Sequence, residues 1–488
     1  MGARRGRDVI QRLKEQPAEL WHRGRRVADV TVEPGLANGV ASLARLYDLQ
    51  WTDPDTMLFD SPSTGDKVGR SYMIPRTKEE LMSVGAMMMR WTRHTMGMMG
   101  RAPDYINRAV SAYAGGADFL AKQDARFGEN IRRYHEYVRE NDLCLTHTLI
   151  NPQANRAVGA ARQADPFLAA RVKEETDAGI VVKGARMLAT LPISDEIMVF
   201  PSTLLKSGEE DAPYAFGFAL PNATPGLKFI CRESVDYGRS KYDHPLGARF
   251  EEMDAVVIFD DVLVPWERLF MYRDVVACNR AYAATGAIVH MSHQVVCKNV
   301  AKTEFVLGLV SLMVDAIGVE QFQHIHEKVA EIWCVLEAMK AFKRVAEVDA
   351  APNEYGVMTP AWDPLDAARN MYPRLYPRLI EIVQQVGASG LVGMPTEADV
   401  DGPLAEDIRK YYQAARMDAL ERIPLFRLAW DAAVSAFGTR QVLYERFFFG
   451  DPVRMAGALF QSHDRKPYMD MVREFLARSV QEVEPGPA

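Results

Sequence analysis

The segment Thr146-His147-Thr148-Leu149-Ile150-Asn151-Pro152-Gln153-Ala154-Asn155-Arg156 stands where a helix-rich first third of the chain gives way to a strand-rich middle. It contains an imidazole, two hydroxyls, two asparagines, a glutamine and an arginine, with few hydrophobic anchors. Pro152 forbids the continuation of a helix through the segment. A segment of this kind is either an exposed linker or the lining of a binding site.

Helices are predicted on the N-terminal side of this segment. Thr77 and Glu80 form a capping box, which predicts the start of a helix rich in methionine. The methionines are interpreted either as adaptable core packing or as a soft wall for a flat aromatic ligand. Pro103 and Asp104 predict the start of a second helix. A third helix, from about Glu129 to Asp142, is expected to lead into the quoted segment.

Beyond the quoted segment the pattern changes to short runs of β-branched and aromatic residues, separated by Gly, Pro, Asn and Asp. Such runs predict five or more strands of a small barrel or sandwich. Because strands and helices are segregated, and because neither a G-x-G-x-x-G nor a P-loop motif is present, a Rossmann sheet is not expected. The runs are GIVVKG (179–184), EIMVF (196–200), AFGFALP (215–221), LKFICRE (227–233) and DAVVIFDDVLVPW (254–266).

A helical period returns from about Arg273. Ile325, Ile332 and Leu336 share one predicted helix face, and glycines such as Gly286 interrupt the long segments. Four or more long helices with short connections predict an antiparallel bundle. The predicted fold is therefore mainly α with a central β domain. Its predicted parts are an N-terminal helical domain (1–143), a middle β domain (144–272) and a C-terminal helical bundle with a tail (273–488).

The composition argues against several classes of protein. At 488 residues the chain is expected to form two or three domains. A net charge of -7 argues against a nucleic acid or an anionic membrane as partner. No apolar stretch is long enough to predict a membrane span, and the basic start MGARRGRD is not followed by the apolar run of a signal peptide. Five scattered cysteines without a C-x-x-C motif fit a reducing cytoplasm, the expected location.

A short histidine and cysteine cluster invites a metal-site interpretation. His290, His293 and Cys297 lie on a predicted helix at a spacing that can place them on related faces. The neighbouring residues supply no acidic ligand. No metal site is therefore expected.

Two other places carry candidate chemistry for an anionic oxygen. Arg101 and Tyr105 are four positions apart at a predicted helix start, so both can face one pocket and donate to a developing oxyanion. An ion pair between Arg101 and Asp104 is the alternative interpretation. His147 is a lone histidine, which is commonly a satisfied core or surface group, but its polar setting favours a functional role.

The residues Gly450, Asp451, Pro452 and Arg454 form the last candidate. Gly450 can end one helix, Asp451 can cap the next, and Pro452 can occupy its first position. A helix N-terminus beside an arginine is a place for a phosphate or pyrophosphate. Simple punctuation between two helices explains the same residues equally well.

Several ordered motifs, spread over nearly the whole chain, resemble the oxygenase component of the two-component 4-hydroxyphenylacetate 3-monooxygenase family. So many spaced matches are specific for the family, though not for one substrate. The motifs are GMMGRAPDY (97–105), the quoted segment (146–156), KGARMLATLP (183–192), FPSTLL (200–205), EEMDAVVIFDDVLVPWERLF (251–270), AYAATGA (281–287), NMYPRLYPR (370–378) and YERFFFGDPVRM (444–455).

The resemblance implies a fold, a reaction and partners. Members of that family are similar to acyl-CoA dehydrogenases in fold and are usually homotetramers. They use dioxygen and reduced FAD, which a separate flavin reductase supplies. A flavin 4a-hydroperoxide then hydroxylates a phenol ortho to its hydroxyl group and yields a catechol.

The resemblance also implies site residues. Arg101, Tyr105 and His147 would contact the phenolic oxygen, and Ser202 and Thr203 would meet the distal end of the substrate. The residues that would hold the flavin are His147, Thr148, Leu149, Gln153, Ala154, Asn155, Arg156, Thr190, Asp451, Pro452, Val453 and Arg454.

The implied residue types suit the implied reaction. An electrophilic oxygen needs an electron-rich ring, and the ring of a phenolate has a higher electron density than that of a phenol. A phenol with a pKa near 10 must be stabilised by about 4 kcal/mol to ionise at pH 7. Arg101 as charge stabiliser, with Tyr105 and with His147 as proton acceptor or hydrogen-bond partner, can supply this in a dry pocket.

The substrate and one rival function stay open. An acidic loop at 206–213 follows Ser202 and Thr203, so the phenol is expected to be either free and similar to 4-hydroxyphenylacetate, or a tyrosine-derived unit carried on a peptidyl carrier protein. The rival is a lyase similar to 4-hydroxybutyryl-CoA dehydratase, with FAD and an iron–sulfur cluster. It is disfavoured because Arg101 and Tyr105 occupy the positions of its early cysteine pair, and His290 and Cys297 alone cannot hold a cluster.

Overall fold

The N-terminal part of the computed structural model is helical, as its sequence predicts. The structure describes residues 2–152, 154–202, 205 and 208–481, with side chains through residue 478. The helices are α1 (Gly6–Glu15), α2 (Ala37–Thr52), α3 (Pro54–Met57), α4 (Lys78–His94), α5 (Pro103–Gly115), α6 (Ala117–Ala121) and α7 (Ala125–Glu140).

Two helix starts in this part follow from their local sequence. The Thr77 hydroxyl accepts a hydrogen bond from the Glu80 amide at 3.2 Å, so the predicted capping box at the start of α4 is confirmed. Pro103 occupies the first turn of α5, where its missing N–H costs no hydrogen bond. Met87 and Met88 on α4 are fully buried in the main hydrophobic core, which favours the core interpretation of these methionines.

The middle of the chain forms two sheets. The six-stranded sheet has the order β2-β1-β10-β11-β7-β6, and the four-stranded sheet has the order β12-β9-β8-β5. The five predicted runs are confirmed as β7 to β11, whereas β5, β6 and β12 were not predicted. The strands are β1 (Glu19–His22), β2 (Arg25–Arg26), β3 (Leu58–Asp60), β4 (Lys67–Gly69), β5 (Leu145–Thr148), β6 (Arg171–Thr176), β7 (Gly179–Thr190), β8 (Glu196–Val199), β9 (Phe216–Pro221), β10 (Leu227–Cys231), β11 (Asp254–Pro265), β12 (Leu269–Tyr272), β13 (Ala351–Pro352) and β14 (Met358–Thr359).

The segment 146–156 begins as strand β5, which its sequence did not predict. Helix α7 already ends at Glu140, and β5 runs parallel to β8 with His147 opposite Met198. All four residues of β5 are buried, and its two threonines are β-branched, which favours a pleated strand over a helix. His147 is therefore fixed by a sheet rather than by a loop.

The sheet also recruits the N-terminal part of the chain. Strand β1 pairs in parallel with β10, with Leu20 opposite Phe229, and β2 pairs with β1. Residues 1–143 thus contribute two strands to the central layer as well as their helices. The domain boundaries at 143/144 and 272/273 stay predictions.

The C-terminal part is a bundle in which the long helices α10, α11, α12 and α16 pack together. Gly286, with a φ of 74°, supplies the left-handed residue that separates α9 from α10. Across the described parts of the chain, every helix is too short or too polar to cross a bilayer. The remaining helices are α8 (Gly247–Phe250), α9 (Val275–Ala284), α10 (Ala287–Ile317), α11 (Gln323–Val348), α12 (Trp362–Gly387), α13 (Ser389–Val392), α14 (Glu397–Val400), α15 (Ala405–Tyr411), α16 (Ala419–Ala433), α17 (Ala436–Phe447), α18 (Pro452–Ser462) and α19 (Lys466–Gln481).

Candidate functional site

Arg101 lies in the short connection between α4 and α5, where the first helices meet the last ones. Its backbone amide donates to Oε1 of the buried Glu252 at 2.7 Å. Its guanidinium carbon lies 4.1 Å from the centre of the Tyr105 ring and 4.0 Å from the centre of the Phe448 ring. The cation is thus held between aromatic faces, which attract it electrostatically.

The hydrogen-bond donors of Arg101 are mostly unused. Nη2 donates to the Phe448 carbonyl oxygen at 3.5 Å, whereas Nε and Nη1 are buried without a partner among the described residues. Burial opposes the charge, but Tyr105 and Tyr444 outweigh it and raise the pKa of Arg101 above its ordinary value. A buried cation with two unsatisfied donors fits an anionic oxygen ligand, because leaving such donors unpaired is costly.

Tyr105 and His147 complete a triangle with Arg101. The centres of the Tyr105 and His147 rings are 5.6 Å apart, and both side chains are buried. Nδ1 of His147 has no partner among the described residues. Burial, and next the charge of Arg101, lower the pKa of His147 well below its ordinary value, so the imidazole is neutral. The structure thus brings together the three residues that the sequence suggests for a phenolic oxygen.

Aromatic residues that the sequence reasoning did not select surround this triangle. The Phe200 ring lies 5.8 Å from His147 and 5.1 Å from Tyr282, and Tyr113 lies 5.7 Å from Phe200, between ring centres. Phe448 meets Tyr105 edge-on at 5.6 Å. Phe200, Tyr282 and Phe448 all fall within motifs quoted above, but nothing in the local pattern distinguishes them from core residues.

Three residues proposed to lie beside a flavin, on or next to β5 and β7, already make hydrogen bonds within the protein. The hydroxyl of Thr148 donates to the Met187 carbonyl at 2.8 Å, and that of Thr190 donates to Oδ1 of Asp254 at 2.8 Å. The carbonyl of Leu149 accepts from Nη1 of Arg186 at 2.8 Å.

Two buried arginines near these residues were missed by the sequence reasoning. Arg186 is fully buried, its Nε and Nη2 have no partner among the described residues, and burial lowers its pKa to about 10. Arg369 on α12 has an unpartnered Nη1, and burial lowers its pKa to about 10 as well. Both lie near the site, because Arg186 donates to the Leu149 carbonyl and the guanidinium carbon of Arg369 lies 4.8 Å from the ring centre of Phe449, the neighbour of Phe448.

The second half of the segment 146–156 lies at the surface. Ala154, Asn155 and Arg156 are exposed, and the Asn155 side chain accepts from the Ala157 amide at 3.0 Å to form a local turn. Ser202 is buried. Gln153 and Thr203 lie outside the described residues.

The predicted helix punctuation at 450–454 is confirmed. Gly450 has a φ of +101°, and the Asp451 side chain accepts from the Val453 amide at 3.1 Å at the start of α18, with Pro452 in the first position. Val453 is 78% exposed, so this helix start opens to solvent. Arg454 is exposed, and its guanidinium folds back against Gly450.

Comparison with known proteins matches almost the whole chain. The family described as "4-hydroxyphenylacetate 3-hydroxylase N terminal" matches residues 5–271, and that described as "4-hydroxyphenylacetate 3-hydroxylase C terminal" matches residues 278–477. The chain is 50% identical over 478 residues to the 4-hydroxyphenylacetate 3-monooxygenase oxygenase component of Thermus thermophilus, with 98% of each covered. A crystal structure of such an oxygenase component, complexed with FAD and 4-hydroxyphenylacetate, matches with a TM-score of 0.94 and 49% identity over 99% of this chain and all of the other.

Two more distant relatives bear on the alternatives. A "(3S)-3-amino-3-(3-chloro-4-hydroxyphenyl)propanoyl-[peptidyl-carrier protein SgcC2] monooxygenase" of Streptomyces globisporus is 29% identical, with 98% of this chain and 90% of the relative covered. An archaeal 4-hydroxybutyryl-CoA dehydratase from N. maritimus matches with a TM-score of 0.87 at 20% identity, covering 99% of this chain and 96% of the other. The dehydratase likeness shows a shared fold and nothing about the reaction.

Proposed function

The chain belongs to the 4-hydroxyphenylacetate 3-hydroxylase family, and we propose that it is a two-component FAD-dependent monooxygenase that hydroxylates a 4-substituted phenol ortho to its hydroxyl group. Its fold is acyl-CoA dehydrogenase-like, and relatives of the same family have been crystallised with FAD. The observation that carries the proposal is the buried Arg101, which lies beside Tyr105 and His147 and has two donors without a partner among the described residues, as an anionic oxygen ligand requires.

The residues around the site fit FAD. A flavin presents carbonyl oxygens, ring nitrogens and phosphates, and all of these accept hydrogen bonds. The site offers several buried donors without partners among the described residues, on Arg101, Arg186 and Arg369. We propose that His147 to Leu149, Thr190 and the stretches 153–156 and 451–454 hold the cofactor. When bound, reduced FAD supplies the electrons that reduce dioxygen, so that one oxygen atom reaches the ring and the other leaves as water.

Arg101 is proposed to make the substrate reactive. Ionising a phenol at pH 7 needs about 4 kcal/mol, and a buried guanidinium with two free donors can provide several kcal/mol of such stabilisation. Tyr105 adds a hydroxyl donor. Because the pKa of His147 is depressed by burial and by Arg101, we assign His147 the role of a neutral hydrogen-bond partner of the phenolic oxygen. The rings of Phe200, Tyr282 and Phe448 keep water away from these groups.

The distal part of the substrate is proposed to meet Ser202 and Thr203. The 50% identity to an oxygenase component acting on 4-hydroxyphenylacetate favours a free phenol of that kind. The adjoining turn at 209–214 carries the exposed Glu209 and Glu210. Glu210 pairs with Arg162 at 2.9 Å, but Glu209 would repel a free carboxylate, and this favours a phenol delivered on a peptidyl carrier protein as the second candidate. The two candidates differ in whether a charged end must pass this acidic turn.

One assay tests the activity and chooses between the substrates. The protein is incubated in air with a flavin reductase, NADH, FAD and a panel of free and carrier-bound phenols, and each phenol is examined by mass spectrometry. We expect a gain of one oxygen atom in at least one of them. Release of hydrogen peroxide alone with every phenol would refute the monooxygenase proposal. The rival dehydratase reading requires iron, which elemental analysis of the purified protein detects.

As an oxygenase component, the chain requires a separate component that supplies reduced flavin. We propose further that this component is an NAD(P)H-dependent flavin reductase, that the oxygenase works in the cytoplasm, and that it assembles as a homotetramer.

Two exposed apolar surfaces support the assembly into a homotetramer. Tyr468, Val472 and Leu476 share one face of α19 and are each more than half exposed. A groove of about 640 Å³ between α10 and α11 is lined by Val314, Ile325 and Trp333 among others.

We propose that other copies of the chain cover both surfaces. Val472→Asp places a charge in the apolar face of α19, so it is expected to shift the sedimentation coefficient of the protein to that of a smaller species. Glu474→Ala, on the opposite face of the same helix, serves as the control and should leave the coefficient unchanged. A monomeric wild-type protein would refute the assembly.

A further inference from the structure

A buried cluster of charges lies directly behind the Arg101 site. Lys298 and Lys302 are one turn apart on α10 and are both fully buried. Both donate to the 2%-exposed carboxylate of Glu445 on α17, with Nζ to oxygen distances of 2.5 to 2.6 Å. Lys302 also donates to Oε1 of Gln441 at 2.8 Å. Long side chains with charged ends are rarely buried so completely unless they have a function or a partner.

The cluster contacts the site through Phe448. Nζ of Lys298 lies 4.4 Å from the centre of the Phe448 ring, and the guanidinium carbon of Arg101 lies 4.0 Å from the same centre. The other end of the cluster holds the connection that carries Arg101, because Nε2 of Gln441 donates to the Met98 carbonyl at 2.9 Å. The cluster therefore touches both the aromatic support of Arg101 and the backbone that precedes it.

The charges of this group do not balance. Lys298, Lys302 and Arg101 are three cations, and Glu445 is the one carboxylate that both lysines contact among the described residues. Glu252, near Arg101, is shared with Arg440. In a low-dielectric interior, uncompensated positive charge raises the free energy of the empty site and is relieved by an anion. The burial of Lys298 and its cationic neighbours Lys302 and Arg101 lower its pKa to about 7, which reflects the same imbalance.

We propose that Lys298, Lys302 and Glu445 are positioning residues that hold Phe448 and Arg101 in place and supply the excess positive charge that favours the anionic form of a bound phenol. The inference rests on the proposed function, since it assumes that a phenol binds beside Arg101. It assigns these three residues no contact with the substrate. Their effect is electrostatic and passes through Phe448 and Arg101.

The test measures the ionisation of a bound phenol without turnover. 4-Nitrophenol is bound to the protein carrying reduced FAD under anaerobic conditions, and its phenolate absorbance is titrated against pH. The groups around Lys298 that can contribute are Glu445 and Tyr444 on α17, Lys302 on α10, Tyr372 on α12 and Arg101. Lys298→Met removes a cation and is expected to raise the pKa of the bound phenol by about one unit, whereas Lys298→Arg keeps the charge and is expected to cause no rise.

The difference between the charge-removing and the charge-keeping variant separates an electrostatic effect from a structural one. A purely structural role would shift both variants in the same direction and would overturn the inference, as would two unchanged values. Should Lys298→Arg not fold, Lys302→Met and Lys302→Arg form a second pair, in which again only the variant that loses the charge is expected to raise the pKa of the bound phenol. Lys340→Met, an exposed lysine on α11, is the matched control and should cause no shift.

The failure of this inference can be told apart from failure of the proposed function. If the wild-type protein does not lower the pKa of 4-nitrophenol below that of the free compound, the role proposed for Arg101 fails. If the wild type lowers it and the lysine variants match the wild type, only the role of the buried cluster fails.

Discussion

The guanidinium of Arg101 donates to the carbonyl of Phe448 at 3.5 Å and lies 4.0 Å from the centre of its ring, although 347 positions separate the two residues. One residue precedes the fifth helix and the other follows α17, so the site exists only where the N-terminal helices meet the end of the bundle. Substitutions on either side of this contact between the N-terminal helices and the bundle therefore have predictable effects.

Arg101→Met is expected to uncouple the reaction. The variant keeps a long apolar side chain between Tyr105 and Phe448 but loses the cation and the two donors that no described residue engages. Catechol formation should fall by about 100-fold or more, while oxidation of reduced FAD continues and releases hydrogen peroxide. The measurement is the ratio of catechol to flavin oxidised. Arg93→Met, which removes an exposed arginine paired with Glu304, should keep the wild-type ratio, and full coupling in Arg101→Met would contradict the assignment.

Thr190→Val is expected to weaken binding of reduced FAD by about fivefold, the value of one net hydrogen bond. The Thr190 hydroxyl donates its hydrogen bond to Asp254, so the hydroxyl oxygen can still accept a hydrogen bond from an N–H group of the flavin. Asp254 keeps its partners Arg232 and Arg440, so the fold should survive. Anaerobic titration gives the affinity.

The matched control for this variant is Thr176→Val, whose hydroxyl donates to the Gly179 carbonyl in a hairpin of the six-stranded sheet. It should bind reduced FAD with unchanged affinity. Equal losses in both variants would mean that Thr190 does not touch the cofactor.

Gly97→Ala is expected to destabilise the connection that carries Arg101. Gly97 has a φ of +68°, and a Cβ there would lie 2.7 Å from Cβ of Lys302 and 2.8 Å from the carbonyl oxygen of Lys298. The left-handed backbone and the clash with α10 should together lower the free energy of unfolding by roughly 2 kcal/mol or more. Chemical denaturation measures this.

Gly308→Ala serves as the control, because Gly308 lies on exposed α10 surface with nothing near its missing Cβ. Alanine is the better helix former there, and a gain of about 0.5 to 1 kcal/mol is expected. A stable Gly97→Ala protein would show that the close approach to α10 is not needed.

Acid is expected to destabilise the protein below about pH 6.5. Burial lowers the pKa of His135 to about 4 and that of His147 and His290 well below the ordinary value. In the unfolded chain these imidazoles take up protons near pH 6.5, whereas in the folded chain they stay neutral to lower pH. Above pH 6.5 both states are neutral, so they add no pH dependence there. Between pH 6.5 and 4 unfolding is favoured progressively, by about 3 kcal/mol for His135 alone.

The measurement is the free energy of unfolding from denaturant titrations at a series of pH values. His135→Gln removes one of these groups and should flatten the loss between pH 6.5 and 4. A slope in that range identical to the wild type would contradict the assignment of a neutral His135 in the folded state.

The local sequence was sufficient to predict those structural features that depend on contacts between residues close together in the chain. The capping box at Thr77, the proline at the start of α5, the left-handed glycine before α10 and the cap at Asp451 each follow from contacts within a few residues. The alternation and β-branching of β7 to β11 predict strands for the same reason. The order of helical, β and bundle segments was therefore readable from the chain.

Strand β5 at the start of residues 146–156 was not predicted, and the cause is non-local. A strand of four residues has too little sequence of its own to be recognised. Strand β5 forms because its backbone pairs with β8, which lies about fifty positions further along the chain. The same pairing buries His147, and burial is what makes the imidazole neutral.

The sequence by itself determined the succession of helices and strands and, through its motifs, the residue types of the site, since these depend on neighbours along the chain. Only the tertiary structure decided that Arg101 rests on Phe448, that Arg186 and Arg369 lie buried nearby, and that Lys298 and Lys302 share Glu445 behind them. Such contacts form between segments that are distant in the sequence and that exclude water only when they pack together. The loss of water shifts the pKa values of the buried side chains, so these shifts exist only after the segments have packed.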